Sequence, residues 1–176
     1  MLIRHATKED RAELCTLYKE VARLSQGIAR LEHEITPDYI DGMFNQVSGH
    51  GLMLVAVDTT FQAIVAEMHA STYGIEIFSH ILTNLTIVVK PAYQGQGVGK
   101  ALFRAFLHEV DTNWPRISRI ELESRSSNQA SIGLYKRLGF VLEGTMKYKT
   151  RNTDGCYEDS LLFARLKPSF SFTPTL

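Results

Sequence analysis

Residues 94–100 read Gln94-Gly95-Gln96-Gly97-Val98-Gly99-Lys100, with glycine at every second position between an apolar run ending at Val89 and an amphipathic run starting at Val98. Glycine lets the main chain come close to a ligand and take backbone angles closed to other residues. At a helix start, free N–H groups and the positive end of the dipole attract phosphate oxygens. The segment therefore reads as an anion cradle. Two common phosphate loops fail by position. A P-loop requires glycine where Gln94 stands and Ser or Thr where Ala101 stands, and a dinucleotide fingerprint requires its third glycine where Lys100 stands.

A second constellation follows at Asn128-Gln129-Ala130-Ser131-Ile132-Gly133-Leu134-Tyr135-Lys136-Arg137-Leu138-Gly139-Phe140. Gln94-x-x-Gly97-x-Gly99 resembles the pyrophosphate loop of the GNAT family of N-acetyltransferases. The later run resembles that family's Asn-x-x-Ala/Ser-x-x-Leu-Tyr-x-x-Leu-Gly-Phe motif, in the expected order. The likeness covers nearly the whole chain and is least specific before Gly51. It implies an α/β fold with a mixed, mostly antiparallel sheet, a central splay, and helices on both faces. It also implies acetyl-CoA as co-substrate.

Acyl transfer from a thioester to an amine needs a neutral nucleophile, a donor to the thioester oxygen and an acid for the leaving thiolate. The resemblance places pantetheine against main-chain groups near Ile87, Val88 and Val89. It places the pyrophosphate on the N–H groups of Gln94, Gly95, Gln96, Gly97, Val98, Gly99 and Lys100, with the Lys100 ammonium adding charge. Asn128 and Ser131 become contacts to the cofactor arm, and Tyr135 becomes the general acid at the sulfur. Without the motif, Asn128 is a helix cap and Tyr135 a core residue. The strand before the glycines, Ser79 to Thr86, carries no glutamate. The amine is then deprotonated by water or by Glu67, with His80 and Glu121 as further groups that could reach the acceptor. Glu32 and Glu34 fall where the family builds its acceptor wall, and carboxylates there suit a cationic amine.

Positioning these groups requires alternating strands and helices. Leu2 to His5 reads as a strand. Thr7 caps a helix carrying Leu14, Leu17, Tyr18, Val21 and Leu24 at helical spacing. Thr36-Pro37 opens a second helix, with Tyr39, Ile40, Met43, Phe44 and Val47 on one face. Gly51–Val57 and Phe61–Ala70 form a hairpin, and Ser79–Lys90 is the next strand. After the glycine-led helix, Ile117, Ile120 and Leu122 mark a strand. Ser126 with Gln129 forms a capping box for the motif helix, and Gly139 ends it. Two strands around Asn152-Thr153-Asp154-Gly155 close the chain. Residues 1–167 make one domain and residues 168–176 a tail.

Composition bounds the partners. Among 176 residues, 19 Lys and Arg balance 19 Asp and Glu, so no charge surplus points to nucleic acid. Cys15 and Cys156 have neither metal-ligand spacing nor the density of a disulfide scaffold, so no metal and a reducing cytoplasm are expected. No apolar run is long enough to span a bilayer, so no membrane is expected. The leading expectation is an acetyl-CoA-dependent N-acetyltransferase acting on a primary amine of a small molecule such as an amino acid. Its rivals are a protein or peptide α-amine acetyltransferase and a non-catalytic acyl-CoA-binding module. The reading leaves a homodimer open. Within the family, Arg119-Ile120-Glu121-Leu122 and Glu143-Gly144-Thr145 look like bacterial L-amino-acid acetyltransferases and enzymes modifying ribosomal protein N-termini.

Overall fold

A computed structural model describes residues 1–24, 28–152 and 154–171. The strands are β1 (Leu2–His5), β2 (Gly51–Asp58), β3 (Ala63–Ser71), β4 (Ile81–Val89), β5 (Arg119–Arg125), β6 (Val141–Arg151) and β7 (Tyr157–Leu166). The α-helices are α1 (Arg11–Ala22), α2 (Pro37–Val47), α3 (Val98–Asn113) and α4 (Gln129–Arg137). The chain order is the expected one. All seven strands join one sheet in the order β1-β2-β3-β4-β5-β7-β6. The contact of β4 with β5 is parallel and the other pairings are antiparallel.

Local chemistry explains the element ends. The Thr36 hydroxyl accepts the Tyr39 N–H at 3.1 Å and Pro37 fills the first position of α2, where no N–H is needed. Strand β3 starts at Ala63, later than the apolar pattern suggests. The Asp58 carboxylate accepts the Thr60 N–H at 2.8 Å, Gln62 takes a left-handed φ of 52°, and Phe61 is left exposed in the turn. Helix α4 is capped by Asn128, whose Oδ1 accepts the Ser131 N–H at 3.2 Å, and not by Ser126. The Gln129 amide instead donates to the Ser126 carbonyl at 2.8 Å. At its other end Gly139 has φ 87°, with Phe140 N–H bonded to Tyr135 C=O and Gly139 N–H to Lys136 C=O. That paired arrangement is the left-handed glycine cap. In the last turn the Gly155 N–H meets the Asn152 carbonyl at 2.9 Å; Thr153 lies outside the described residues.

Two cores form, one on each face of the sheet. Leu14, Leu17, Tyr18 and Val21 of α1 and Ile40, Met43 and Phe44 of α2 pack on Met53, Val55, Val57 and Ile64. On the opposite face Leu102, Phe103 and Phe106 of α3 and Ile132 and Tyr135 of α4 pack on Leu54, Met68, Leu82, Leu122 and Phe163. Leu24 falls beyond α1 and is partly exposed. Among the described residues no helix is long and apolar enough to cross a membrane.

The first turn is pinned by one ion pair. The Arg4 guanidinium donates to both Asp10 oxygens, at 2.7 and 2.8 Å, and the Thr7 N–H reaches the same carboxylate at 2.8 Å. The bond from Arg4, against the opposing effect of burial, holds the Asp10 carboxyl below its ordinary range. A depressed folded-state value stabilises the fold above the unfolded pKa of about 3.9, and that contribution is lost as pH falls through the folded value. Arg4 is more than a third exposed, so Asp10→Asn should cost about 1–2 kcal/mol at neutral pH. Urea unfolding of both proteins should show the difference shrinking below about pH 4.

Candidate active site

Strands β4 and β5 pair at Ile81 with Arg119 and at Leu82 with Ile120, and then diverge. Beyond Leu82 the edge of β4 turned toward β5 has main-chain groups with no strand beside them, which a ligand can satisfy. An extra residue in β4 marks the parting. His69 faces Thr86 and Ser71 faces Thr83, with Asn84 between them at a left-handed φ of 53°. Bulges of this kind re-aim side chains beside active sites. A cavity of about 1180 Å³ occupies the parting, with Thr83 to Thr86 on one wall and Leu122 to Arg125 on the other.

The glycine loop leads from β4 to α3. Gly95 and Gly97 have φ of 73° and 85°, and a Cβ at either would meet open space, so backbone angle alone demands glycine there. Gly99 is needed for approach: its Cβ would come 3.2 Å from Val89 Cγ2. The first hydrogen bond of the helix runs from Ala101 N–H to Gly97 C=O at 2.9 Å. The amides of Val98, Gly99 and Lys100 precede it and point out of the sixteen-residue helix at its positive end. This donor set fits a pyrophosphate. Gln94 and Gln96 shape the loop with their side chains, bonding the Val89 carbonyl at 3.0 Å and the Ala92 carbonyl at 2.7 Å. Lys100 is exposed. The side chains of Ile87 and Val89 pack into the α3 core and Val88 into the α1 core, leaving only their backbone for a ligand.

Tyr135 is 6% exposed and touches Phe103, Phe140 and Phe163, whose ring lines the cavity at a centroid distance of 6.0 Å from Tyr135. Burial raises the phenol pKa, and a hydrogen bond with Ser131 partly offsets it. The group therefore keeps its proton at neutral pH.

On the acceptor side Glu67 and His69 differ in their access to the cavity. Glu67 is fully buried behind the cavity wall, and His69, two residues along β3, lines the cavity. The spacing of two on one strand puts both on the same face. The Tyr18 hydroxyl donates to Glu67 Oε2 at 2.6 Å, and His69 Nδ1 lies 2.9 Å from Oε1. Burial, followed by the charge of Glu67, pushes the Tyr18 phenol well up. Glu121 lines the cavity but is tied to Arg119 at 2.6 Å and Tyr73 at 3.1 Å, and Glu123 is tied to Lys149 at 2.5 Å. Arg119 also pairs with Glu143. His80 is exposed at the start of β4, outside the cavity lining.

Glu32 and Glu34 do not build the wall. Glu32 bonds Arg23 at 2.6 Å, and Glu34 accepts the Leu31 N–H at 2.7 Å. The loop instead contributes Ile28, Ala29 and Arg30. The Arg30 guanidinium lies 5.3 Å from the Tyr39 ring centre and has no carboxylate within ion-pair distance among the described residues.

The sequence profile of the acetyltransferase (GNAT) family matches residues 50–140, just over half of the chain, and the chain belongs to that family. It is 40% identical over 90 residues to an L-amino acid N-acetyltransferase, AaaT, of Escherichia coli K12. It is 37% identical over 82 residues to the [ribosomal protein bS18]-alanine N-acetyltransferase of the same strain. These matches cover 51% and 47% of the chain and 53% of each relative, so the chain spans about half the length of the relatives it matches. The fold is shared with a GNAT superfamily phosphinothricin acetyltransferase from Sinorhizobium meliloti in complex with acetyl-CoA. That match has a TM-score of 0.84 and 22% identity, and covers 99% of this chain and 92% of the other.

An L-residue forced to the left-handed angle of Gly97 costs about 1–2 kcal/mol, and a β-branched one also turns the helix-leading amides away. Gly97→Val should therefore weaken acetyl-CoA binding at least tenfold in calorimetry, with the fold retained by circular dichroism. Unchanged affinity would remove the loop from the binding site.

Proposed function

We propose that this protein is an acetyl-CoA-dependent N-acetyltransferase whose acceptor is a small molecule carrying both a primary amine and a carboxylate, an amino acid being the simplest case. The observation that carries the acceptor class is Arg30. It is the cavity-lining cation with no carboxylate partner among the described residues, and it lies over the ring of Tyr39, which lines the same cavity. A planar guanidinium suits a carboxylate bound through two hydrogen bonds. The parting of β4 from β5 supports the donor side, since it offers free backbone to a pantetheine arm. The amino-acid acetyltransferase among the relatives supports the same reading.

In the reaction the amine nitrogen attacks the thioester carbonyl, the C–N bond forms and the C–S bond breaks. Tyr135 supplies the proton for the departing thiolate, supported by its place on α4 against a cavity-lining ring and by its protonated state at neutral pH. Peptide α-amines are the second reading, favoured by the bS18-alanine relative.

Thiol release should be measured with L-amino acids, their decarboxylated amines and short peptides sharing the first residue. Amino acids should lead. Arg30→Ala should lower kcat/KM for an amino acid about 10- to 100-fold, the worth of a charge-assisted hydrogen bond, and leave the decarboxylated amine unchanged. Peptides leading the panel would establish the α-amine reading. Acetyl-CoA binding without turnover of any amine would leave a binding module.

Tyr135→Phe removes the hydroxyl and keeps the packed ring. It should lower kcat by about 10²-fold or more with acetyl-CoA affinity nearly unchanged. Full activity with chemistry rate-limiting would return Tyr135 to a packing role.

A further inference from the structure

We propose that His69 is the residue that takes the proton from the acceptor amine, held in its reactive tautomer by Glu67 and Tyr18, which serve as positioning residues inside the core. The inference rests on the acetyltransferase reading and adds its missing base.

Glu67 is fully buried, and a carboxylate there is tolerated only when donors converge on it. Two do. Tyr18 donates at 2.6 Å to one oxygen and His69 Nδ1 stands 2.9 Å from the other. A carboxylate oxygen at 2.9 Å is an acceptor for Nδ1–H, and that tautomer leaves Nε2 with its lone pair. Nε2 makes no hydrogen bond among the described residues, and His69 lines the acceptor cavity despite being 4% exposed. The Tyr18 hydroxyl, 3.5 Å from Nδ1, closes the triangle.

His69 meets Glu67 on its own strand and Tyr18 from α1, and the residues opposite it on β2 and β4, Met53 and Thr86, do not ionise. From α2, Tyr39 and Gln46 line the same cavity, with the cations Arg30, Arg119, Arg125 and Lys149. Across the cavity, Glu121 and Glu123 are already neutralised by Arg119 and Lys149, which weakens them as bases, and Arg30 is occupied with the acceptor's own carboxylate.

Two protons leave the nitrogen in the course of the reaction. Nε2 takes the first, from the ammonium, and the freed lone pair forms the C–N bond. Cavity water takes the second as the C–S bond breaks. Tyr135 gives one to the thiolate and is refilled from water, and His69 releases its own to solvent. One proton is released overall. The buried carboxylate stabilises the transient imidazolium without touching substrate.

The test is a kcat/KM profile from about pH 5.5 to 9 for the wild type, His69→Gln, Glu67→Gln and Glu123→Gln, with acetyl-CoA affinity as the check on folding. His69→Gln should fall about 10²-fold or more and lose the limb that rises with pH through imidazole deprotonation. Glu67→Gln removes the charge that favours imidazolium, so its limb should move to lower pH. Glu123→Gln should keep the limb where it is. In His69→Gly, added imidazole should restore turnover, which a structural role would not allow. A His69→Gln variant within about threefold of wild type at every pH, or loss of the limb in Glu123→Gln, would overturn the proposal. Nitrogen NMR of labelled wild type reads the tautomer without turnover: Nδ1–H with bare Nε2 supports the proposal, and Nε2–H overturns it. Absence of turnover with any amine in the wild type would instead count against the acetyltransferase reading, and the tautomer would still be decided.

Discussion

A β-sheet holds together because each strand satisfies its neighbour's main chain, and between β4 and β5 that rule is kept for two residue pairs and then given up. The parting has to be enforced by everything around it. Strand β4 is held by its long antiparallel ladder with β3, and β5 by its ladder with β7, so each half of the sheet is complete without the other. On one face Leu82, Leu122 and Phe163 are gathered under α3 and α4 into a single core, which keeps the halves joined at depth. On the other face α1 and α2 cover β2 and β3, and the surface of β5, β6 and β7 lines the open cavity. The left-handed Asn84 sets the bend of β4 at the point where pairing stops.

The fold depends on a buried polar cluster that borders the cavity. Burying Glu67 would be costly alone, and the donors that make it tolerable come from α1 and from the next outward position on β3. Docking of α1 onto the sheet therefore places the Tyr18 hydroxyl and, through Glu67, orients the His69 ring at the cavity. Tyr39 of α2 packs edge-on to Tyr18 at 5.9 Å and has the Arg30 guanidinium over its ring at 5.3 Å. A contiguous path of packed side chains thus links the loop before α2 to the floor of the cavity.

The charge of the chain is arranged with similar economy. Net charge is zero, and most cavity ions are paired, as in Arg119 with Glu121 and Lys149 with Glu123. Among the described cavity-lining residues the Arg30 guanidinium has no carboxylate partner, and the helix-leading amides after Gly97 add positive potential at the strand-to-helix turn. Both suit anions, and they lie in different parts of the fold, one at the strand-to-helix turn and the other in the loop before α2.

The amino-acid sequence by itself determined the element order, the glycine cradle and the motif helix, because each depends on short-range rules. Gly95 and Gly97 need positive φ, Gly139 needs the left-handed cap, and apolar spacing marks α1 and α2 within a single turn of chain. The family likeness was legible for the same reason, since its residues lie within two short stretches. The acceptor side was not, because it is assembled across distance. Glu67 reads as a base open to the acceptor until Tyr18, 49 positions away, is brought onto it and buries it, and Glu32 reads as an acceptor wall until Arg23 takes it up. Asn84 shows no sign of its bulge in a β-rich run. Which side of β3 is cavity, which carboxylates are already paired and which cation is left over are consequences of packing, and only the tertiary structure could decide them.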